Sequence, residues 1–325
     1  MAEAAAEECG IRATLYDAEG RDQAVELNAT AFEGLGDAQL LWVDGCADDF
    51  TDDLPLPDAV KEAIEELRGE GPTIRMGEGL YWFTVPACPD RRTEAGALTS
   101  FIVCGTDALV TVRHSQVEAF DRFIETDRGE TLKGRLSASS LAAAVMMAHL
   151  GDFQREIARI DDEVDELDDS ILRKREKGDP LHRLSVLRRR LAKLRRALGG
   201  HRGVIHSLVR ADFAPMIEDA EARHFEHLHA LYERLEDEVA RGRDAVVASF
   251  DIYATRVAQD TNELLRVLTI VTVALGIIGS IAGVFGMNFD IDFVPHSQQG
   301  FLIVLGAITA VTLGFLALSA WKRWL

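Results

Sequence analysis

Ten positions along one stretch of this chain carry most of the chemistry it could perform. In order they are Asp251, Ala258, Asn262, Leu265, Thr269, Thr272, Gly276, Gly279, Gly283 and Gly286, separated by seven, four, three, four, three, four, three, four and three residues. Steps of three and four keep side chains on one face of an α-helix. Two residues on stands Asn288, which completes Gly286-Met287-Asn288. A carboxylate at one end of such a stripe attracts a cation, and amide and hydroxyl oxygens above it hydrogen-bond the ion's waters. Gly286, Met287 and Asn288 are therefore the candidate ion-selecting motif. Asn262, Thr269, Thr272, Gly276, Gly279 and Gly283 are the candidate lining, and Asp251 the candidate ion-attracting acid. Leu265 and Leu268 supply an apolar constriction that could gate by dewetting. One helix cannot enclose a path, so several copies must arrange their stripes around an axis. The rival reading is a helix-packing seam of small residues, which Gly279-x-x-x-Gly283 fits literally. A seam, however, has no need of Asp251 and Asn262 below it or Asn288 above.

The elements that hold this stripe follow from hydropathy. Val267–Phe285 and Phe301–Trp321 contain no charged side chain, and each is about the 20 residues a helix needs to cross a bilayer core. The alternative is a hydrophobic hairpin buried in a globular core. Transmembrane helices are expected at 267–287 and 301–321, with an extracytoplasmic loop at 288–300 and a tail at 322–325. The loop has no Lys or Arg, whereas Arg256 and Arg266 precede the first run and Lys322 and Arg323 follow the second. The positive-inside rule then places both termini in the cytoplasm. The acidic N-terminus, without a basic or apolar segment, does not read as a signal peptide.

Residues 1–130 read as a cytoplasmic α/β domain. Strands are expected at Ile11–Tyr16, Gln39–Val43, Leu80–Val85, Leu98–Val103 and Ala108–Val112, and helices at Asp58–Leu67 and Gln116–Glu125. Residues 131–266 read as a helical hairpin and stalk. An acidic helix with Ile157, Ile160, Val164, Leu167 and Ile171 is broken at Gly178-Asp179-Pro180. A basic helix with Leu184, Leu187, Leu191 and Leu194 follows. Arg188-Arg189-Arg190 fits a solvated face or intramolecular pairing, with a lipid- or nucleotide-binding patch as the alternative. After Pro215 the helical pattern runs to Phe285, on the order of 100 Å at 1.5 Å per residue. Leu228, Leu231, Leu235, Val239, Val246, Phe250, Tyr253 and Val257 recur with a period near 3.5, as in a bundle of several copies.

Composition excludes some functions. With 54 acidic against 35 basic residues, a net charge of −19, nucleic acid is not an expected partner, and the body would gather cations. Cys9, Cys46, Cys88 and Cys104 are scattered and fit reduced packing cysteines in a reducing compartment. No phosphate-cradling Gly-x-x-x-x-Gly-Lys-Ser/Thr loop and no nucleophile–base set is visible, so neither an ATP-driven pump nor an enzyme is expected. His224-x-x-His227-x-His229 puts two imidazoles on one helical face at His224 and His227. Imidazole suits Zn²⁺ better than Mg²⁺. Exposed histidines on a charged helix are the alternative, and His296 in the loop could likewise meet a softer ion.

Thr261-Asn262-Glu263, Val267-Leu268-Thr269-Ile270 and Ile281-Ala282-Gly283-Val284-Phe285-Gly286-Met287-Asn288-Phe289-Asp290 together resemble the CorA-type divalent-cation transporter family. The resemblance covers Asp251–Leu325, including the terminal Lys322-Arg323-Trp324-Leu325. It extends in style to Leu41-Trp42-Val43-Asp44 and Ala108-Leu109-Val110-Thr111-Val112. It implies a funnel-shaped homopentamer of the inner membrane, with an α/β cytoplasmic domain, a long helical stalk and two C-terminal transmembrane helices. The first span would line the pore, and five Asn288 side chains would form the selectivity ring. Asp251 matches the family's inter-subunit regulatory acid, for which Glu65 or Glu66 is the nearest candidate partner. Gly276 and Gly279 stand where members often carry bulkier or hydroxyl residues, and Ile277 where proline is common. The implied cargo is Mg²⁺, with Co²⁺ and Ni²⁺, moved passively and with no covalent cofactor. Phe289-Asp290 looks like this magnesium branch. The alternatives are a ZntB-like zinc transporter or efflux channel on the same scaffold, and a non-conducting membrane-anchored scaffold.

Overall fold

The computed structural model describes the chain except residues 1–9, 19–21, 29, 33, 37, 68, 70, 90–95, 115–116, 127–136, 174–178, 211–218, 287–297 and 322–325. It divides into two compact units, one of Met1–Asp169 with Lys177–Ser249 and the other of Ser170–Glu176 with Phe250–Leu325.

The first unit is built on a seven-stranded sheet of β1 (Arg12–Asp17), β2 (Gln23–Val25), β3 (Gln39–Cys46), β4 (Thr73–Gly77), β5 (Leu80–Pro86), β6 (Leu98–Cys104) and β7 (Ala108–Arg113). Their spatial order is β2-β1-β3-β7-β6-β5-β4. Only the central β3–β7 pair is parallel, with Leu41 opposite Ala108 and Asp44 opposite Thr111. These two strands are the apolar runs read from the sequence, and all six residues of β7 are buried. Strands covered on both faces lose the polar alternation of a one-sided sheet. The two strands not expected from the sequence, β2 and β4, are the two edges. β2 has three residues, and Arg75, Met76 and Gly77 of β4 are exposed. Short, charged edges discourage pairing with other chains and also erase the hydrophobic signal.

Helix α1 (Asp58–Leu67) covers one sheet face. Val60, Ala63, Ile64 and Leu67 pack with Leu41, Val43, Ile102 and Val110. On the opposite face an aromatic chain links Tyr16, Trp42, Phe120, Phe101, Phe83 and Tyr81, with adjacent ring centroids 4.8–6.4 Å apart. Phe120 belongs to α2 (Glu118–Thr126). An ionic cluster lies beneath it. Asp44 accepts hydrogen bonds from Arg113 at 2.8 Å, Thr111 at 2.7 Å and Arg12 at 3.2 Å. Arg113 also sits over the Phe120 ring, a cation–π contact. Three donors on one buried carboxylate satisfy what burial would otherwise leave uncompensated.

The hairpin consists of α3 (Ala138–Leu172) and α4 (Pro180–Val209). Ser137 caps α3 by accepting from the Ser140 backbone N–H at 3.1 Å. Asp179 caps α4 by accepting from the Leu181 N–H at 3.0 Å, with Pro180 in the first turn, where its missing N–H costs nothing. The acidic and basic faces do meet. Arg190 binds Glu156 and Glu163, each at 2.7 Å, while Arg188 and Arg189 stay exposed. Tyr81 Oη donates to Ser139 at 3.1 Å and fastens α3 to β5. A Cβ on Gly200 would lie 2.6 Å from Pro86, so α4 approaches β5 where only glycine fits. Inside this junction His149 and His201 are fully buried with ring centroids 5.6 Å apart.

Cys88 and Cys104 are not joined in disulfides, as the scattered spacing suggests. Cys46, in contrast, is disulfide-bonded, which corrects the expectation of reduced cysteines throughout. Burial pushes the Cys104 thiol up to about 12, so it is inert as a nucleophile at neutral pH.

Candidate metal-ion path

Helix α5 runs from Asp219 to Gly286 as one 68-residue element, and α6 spans Gln298–Trp321. The helical pattern after Pro215 and the second apolar run become these two helices. In the first unit α5 buries Phe225, Leu228, Tyr232, Leu235, Val239 and Val246. Leu231 is half-buried and Tyr232 takes the inward position, so the buried series steps three, four, three, four and seven, a 3.5-residue repeat. Gly242 lies close to Leu191 of α4 and Asp161 of α3.

In the second unit α5 changes character. Both helices are long and apolar enough to cross a membrane, with only 6% of each apolar window buried. Leu264, Leu265, Leu268 and Leu275 are all more than half exposed. A single chain in water has no partner for such surface, but lipid and further copies provide one.

The residues withdrawn from the surface on α5 are Ile270 and Ala274, with Ile277, Ile278 and Ile281 half-buried. On α6 positions 304, 308, 312 and 315 are half-buried, again at steps of three and four. Leu265, Thr269, Thr272, Gly276, Gly279, Gly283 and Gly286 are exposed. At about 100° per residue, this series lies on nearly the opposite side of α5 from the Ile270–Ile281 series. The small and polar stripe is therefore the face that this chain leaves uncovered.

Two details of that face bear on chemistry. A Cβ added to Gly276, Gly279, Gly283 or Gly286 would meet nothing within 4 Å. These glycines therefore do not serve close helix packing within the chain. The threonines are also oriented by the helix. Thr269 Oγ1 donates to the Leu265 carbonyl and Thr272 Oγ1 to the Leu268 carbonyl, each at 2.8 Å. With its proton held by the backbone, each hydroxyl presents oxygen lone pairs outward. The water shell of a cation presents hydrogens, so this is the polarity that a hydrated cation needs.

Asp251, Ala258 and Asn262 are exposed, as are Leu265 and Leu268. Met287 and Asn288 lie outside the described residues, as does His296. Glu65 and Glu66 are exposed on α1, and Glu66 pairs with Arg75 at 3.4 Å. His224 and His227 are exposed, and among the described residues no group of three or more His, Cys, Asp or Glu is arranged to hold a metal. His229 of the same cluster is instead turned toward His206 of α4, with ring centroids 4.9 Å apart. That juxtaposition was not visible in the sequence, because nothing in it says which turn of α4 meets which turn of α5.

A mixed α/β body is thus joined to two helices long and apolar enough to cross a membrane, and the first of them, the long α5, carries an uncovered small and polar stripe. The chain belongs to the CorA-like Mg²⁺ transporter protein family, whose sequence profile matches residues 44–322. The cobalt/magnesium transport protein CorA of Thermotoga maritima is 31% identical over 202 residues, which make up 62% of this chain and 56% of that protein. The chain thus aligns with just over half the length of that relative. The CorA magnesium transporter from Methanocaldococcus jannaschii has the same fold along its whole length, with a TM-score of 0.71 and 20% identity, covering 97% of this chain and 99% of that one. The cytoplasmic domain of ZntB from Vibrio parahaemolyticus aligns with a TM-score of 0.55 and 12% identity, covering 77% of this chain and 99% of that domain. At these identities the structural likenesses speak of fold alone.

Proposed function

We propose that this chain is a passive divalent-cation channel, with Mg²⁺ as its main cargo and Co²⁺ and Ni²⁺ also carried, built from five copies in the inner membrane. The observation that supports it most is the orientation of the stripe. Leu265–Gly286 presents its polar and glycine face away from the face that packs within the chain, and the glycines open onto empty space. Five such faces around an axis form a lined path, with residues 267–287 and 301–321 as the two spans, 288–300 as the outer loop and 322–325 as the cytoplasmic tail. Both termini face the cytoplasm, as the basic residues at the inner ends favour.

In this reading Asn288 from each copy forms the outer ring. Mg²⁺ dehydrates reluctantly, so amide oxygens read it through its waters, and Thr269 and Thr272 pass the hydrated ion on. Gly276, Gly279 and Gly283 leave mid-membrane room for that shell. Leu265 and Leu268 close the inner end by dewetting, and Asp251 draws ions or senses them with Glu65 or Glu66 of another copy. The driving force is the ion gradient and the membrane potential, about 4.6 kcal/mol for a divalent ion at 100 mV.

The test is dye-reported flux into liposomes with Mg²⁺, Co²⁺, Ni²⁺ and Zn²⁺ offered separately, for the wild type and Asn288→Ala. Mg²⁺ flux that falls in the variant while assembly by size-exclusion chromatography is unchanged is the expected result. Movement of Zn²⁺ alone favours the zinc reading. No flux of any ion removes the channel reading and leaves a membrane-anchored scaffold.

A further inference from the structure

His206, in the last turn of α4, and His229, near the start of α5, approach edge to face with ring centroids 4.9 Å apart and planes at 88°. His206 is exposed and His229 half-buried, so the pair sits at a seam open to water. Glu233, one turn beyond His229, places Oε2 3.9 Å from His229 Nδ1. At that distance the carboxylate adds negative charge beside the pair without a hydrogen bond to the ring.

The spacing suits coordination. A Zn–N bond is about 2.0–2.1 Å, and a ring nitrogen lies about 1.2 Å from its centroid, so each centroid stands roughly 3.2 Å from a shared ion. Two imidazoles on one ion then have centroids about 4.5 Å apart at a right angle and about 5.2 Å apart at the tetrahedral angle. The observed 4.9 Å falls between these values. Ligation then requires each ring to turn about its last side-chain torsion so that a nitrogen aims at the shared point, with water as the other ligands. The other close histidine pair, His149 and His201, is sealed in the core and open to no ion from solvent.

We propose that His206 and His229 form a two-imidazole site for a late first-row divalent ion, Zn²⁺, Ni²⁺ or Cu²⁺, clasped across α4 and α5. The site does not depend on the channel reading, because it is assayed by binding and not by flux. Mg²⁺ is not its ligand, since nitrogen donors suit the later metals and oxygen donors suit Mg²⁺.

The test is calorimetric titration of Ni²⁺ into the full-length protein in detergent with excess Mg²⁺ present. It compares wild type, His206→Ala, His229→Ala and the double variant His224→Ala/His227→Ala. Either single variant is expected to raise the half-saturating Ni²⁺ concentration by about tenfold or more, the scale on which even a supporting group matters to a metal site. The double variant is expected to titrate like the wild type. His206→Phe and His229→Phe keep an aromatic ring at the seam while removing the nitrogen. Loss of Ni²⁺ binding with an unchanged melting temperature in these two separates ligation from packing. Wild-type titration curves in both alanine variants, or in both phenylalanine variants, would overturn the proposal. So would a loss confined to the His224→Ala/His227→Ala protein, which would place the ion on the exposed pair.

Discussion

The sheet unit and the membrane-type helices of this chain handle polar groups in opposite ways. In the first, Asp44 is buried, and three donors from β1 and β7 close around it. In the second, Asn262, Thr269 and Thr272 are exposed, on the same face as glycines where an added Cβ would meet nothing within 4 Å. A polar group enclosed by its own chain is part of the fold. One lined up on an uncovered helical face is offered to something else: lipid excludes it, so a polar path or another copy must receive it. The contrast predicts that damage to the first unit appears in stability and damage to the second in transport.

The largest stability effect should come from the ionic cluster. Arg113 and Asp44 are each only 2% exposed and lie 2.8 Å apart. Arg113→Leu leaves the carboxylate with Arg12 and Thr111 alone and should cost about 3–5 kcal/mol, the usual penalty for stranding one half of a buried pair. Urea unfolding followed by circular dichroism checks it. Adding Asp44→Leu to that variant should recover part of the loss, because no stranded charge then remains. A double variant weaker than Arg113→Leu would mean that the carboxylate's bonds to Thr111 and Arg12 outweigh its desolvation.

Next in size is a pH effect inside the same unit. Burial, and then the neighbouring His149, push His201 down to about 3, and burial likewise lowers His149 against its hydrogen bond to the Pro86 carbonyl and the charge of Asp152. Both histidines therefore bind protons more readily unfolded than folded. Their contribution is complete above the unfolded value of about 6.5. It declines as pH falls from there toward the folded values, by up to about 1.4 kcal/mol per pH unit for His201. Urea midpoints at pH 7.5, 6.5, 5.5 and 4.5 should drop steadily below 6.5, and His201→Phe should flatten the profile. An unchanged slope in His201→Phe would assign the acid sensitivity to other groups.

Where the sequence was legible, one physical signal dominated. β3 and β7 are covered on both faces, so their runs are continuously apolar and could be read directly. Val60, Ala63, Ile64 and Leu67 mark α1 by period alone. The edges β2 and β4 were silent because edge strands have little to bury. Tyr232 rather than Leu231 turns inward because Phe225, Leu228, Tyr232, Leu235, Val239 and Val246 keep the alternating three-and-four step of a heptad seam, which Leu231 breaks. The stripe on α5 could be read because every member obeys one period on one helix. The His206–His229 contact and the Asp44 cluster could not, since each depends on how separate elements align in space.

The smallest stability effect tests the comparison most sharply. Gly279→Leu places a large side chain on the uncovered face of α5, where a Cβ meets nothing within 4 Å. Within the chain no clash results, and exchanging glycine for leucine in a helix interior gains up to about 1 kcal/mol. Melting of the variant should therefore equal or slightly exceed the wild type. In the proposed pore, flux should nevertheless fall, because a leucine from each copy would narrow the path where glycine leaves room for a hydrated ion. A packing seam between copies predicts something else: helices held together by small residues separate when one is enlarged, so the assembly itself would be lost on size-exclusion chromatography. Intact assembly with reduced flux thus places Gly279 on the path, while dissociation places it at a subunit contact. Wild-type flux through an intact assembly would show that this face of α5 borders neither and would confine ion selection to the Gly286-Met287-Asn288 end.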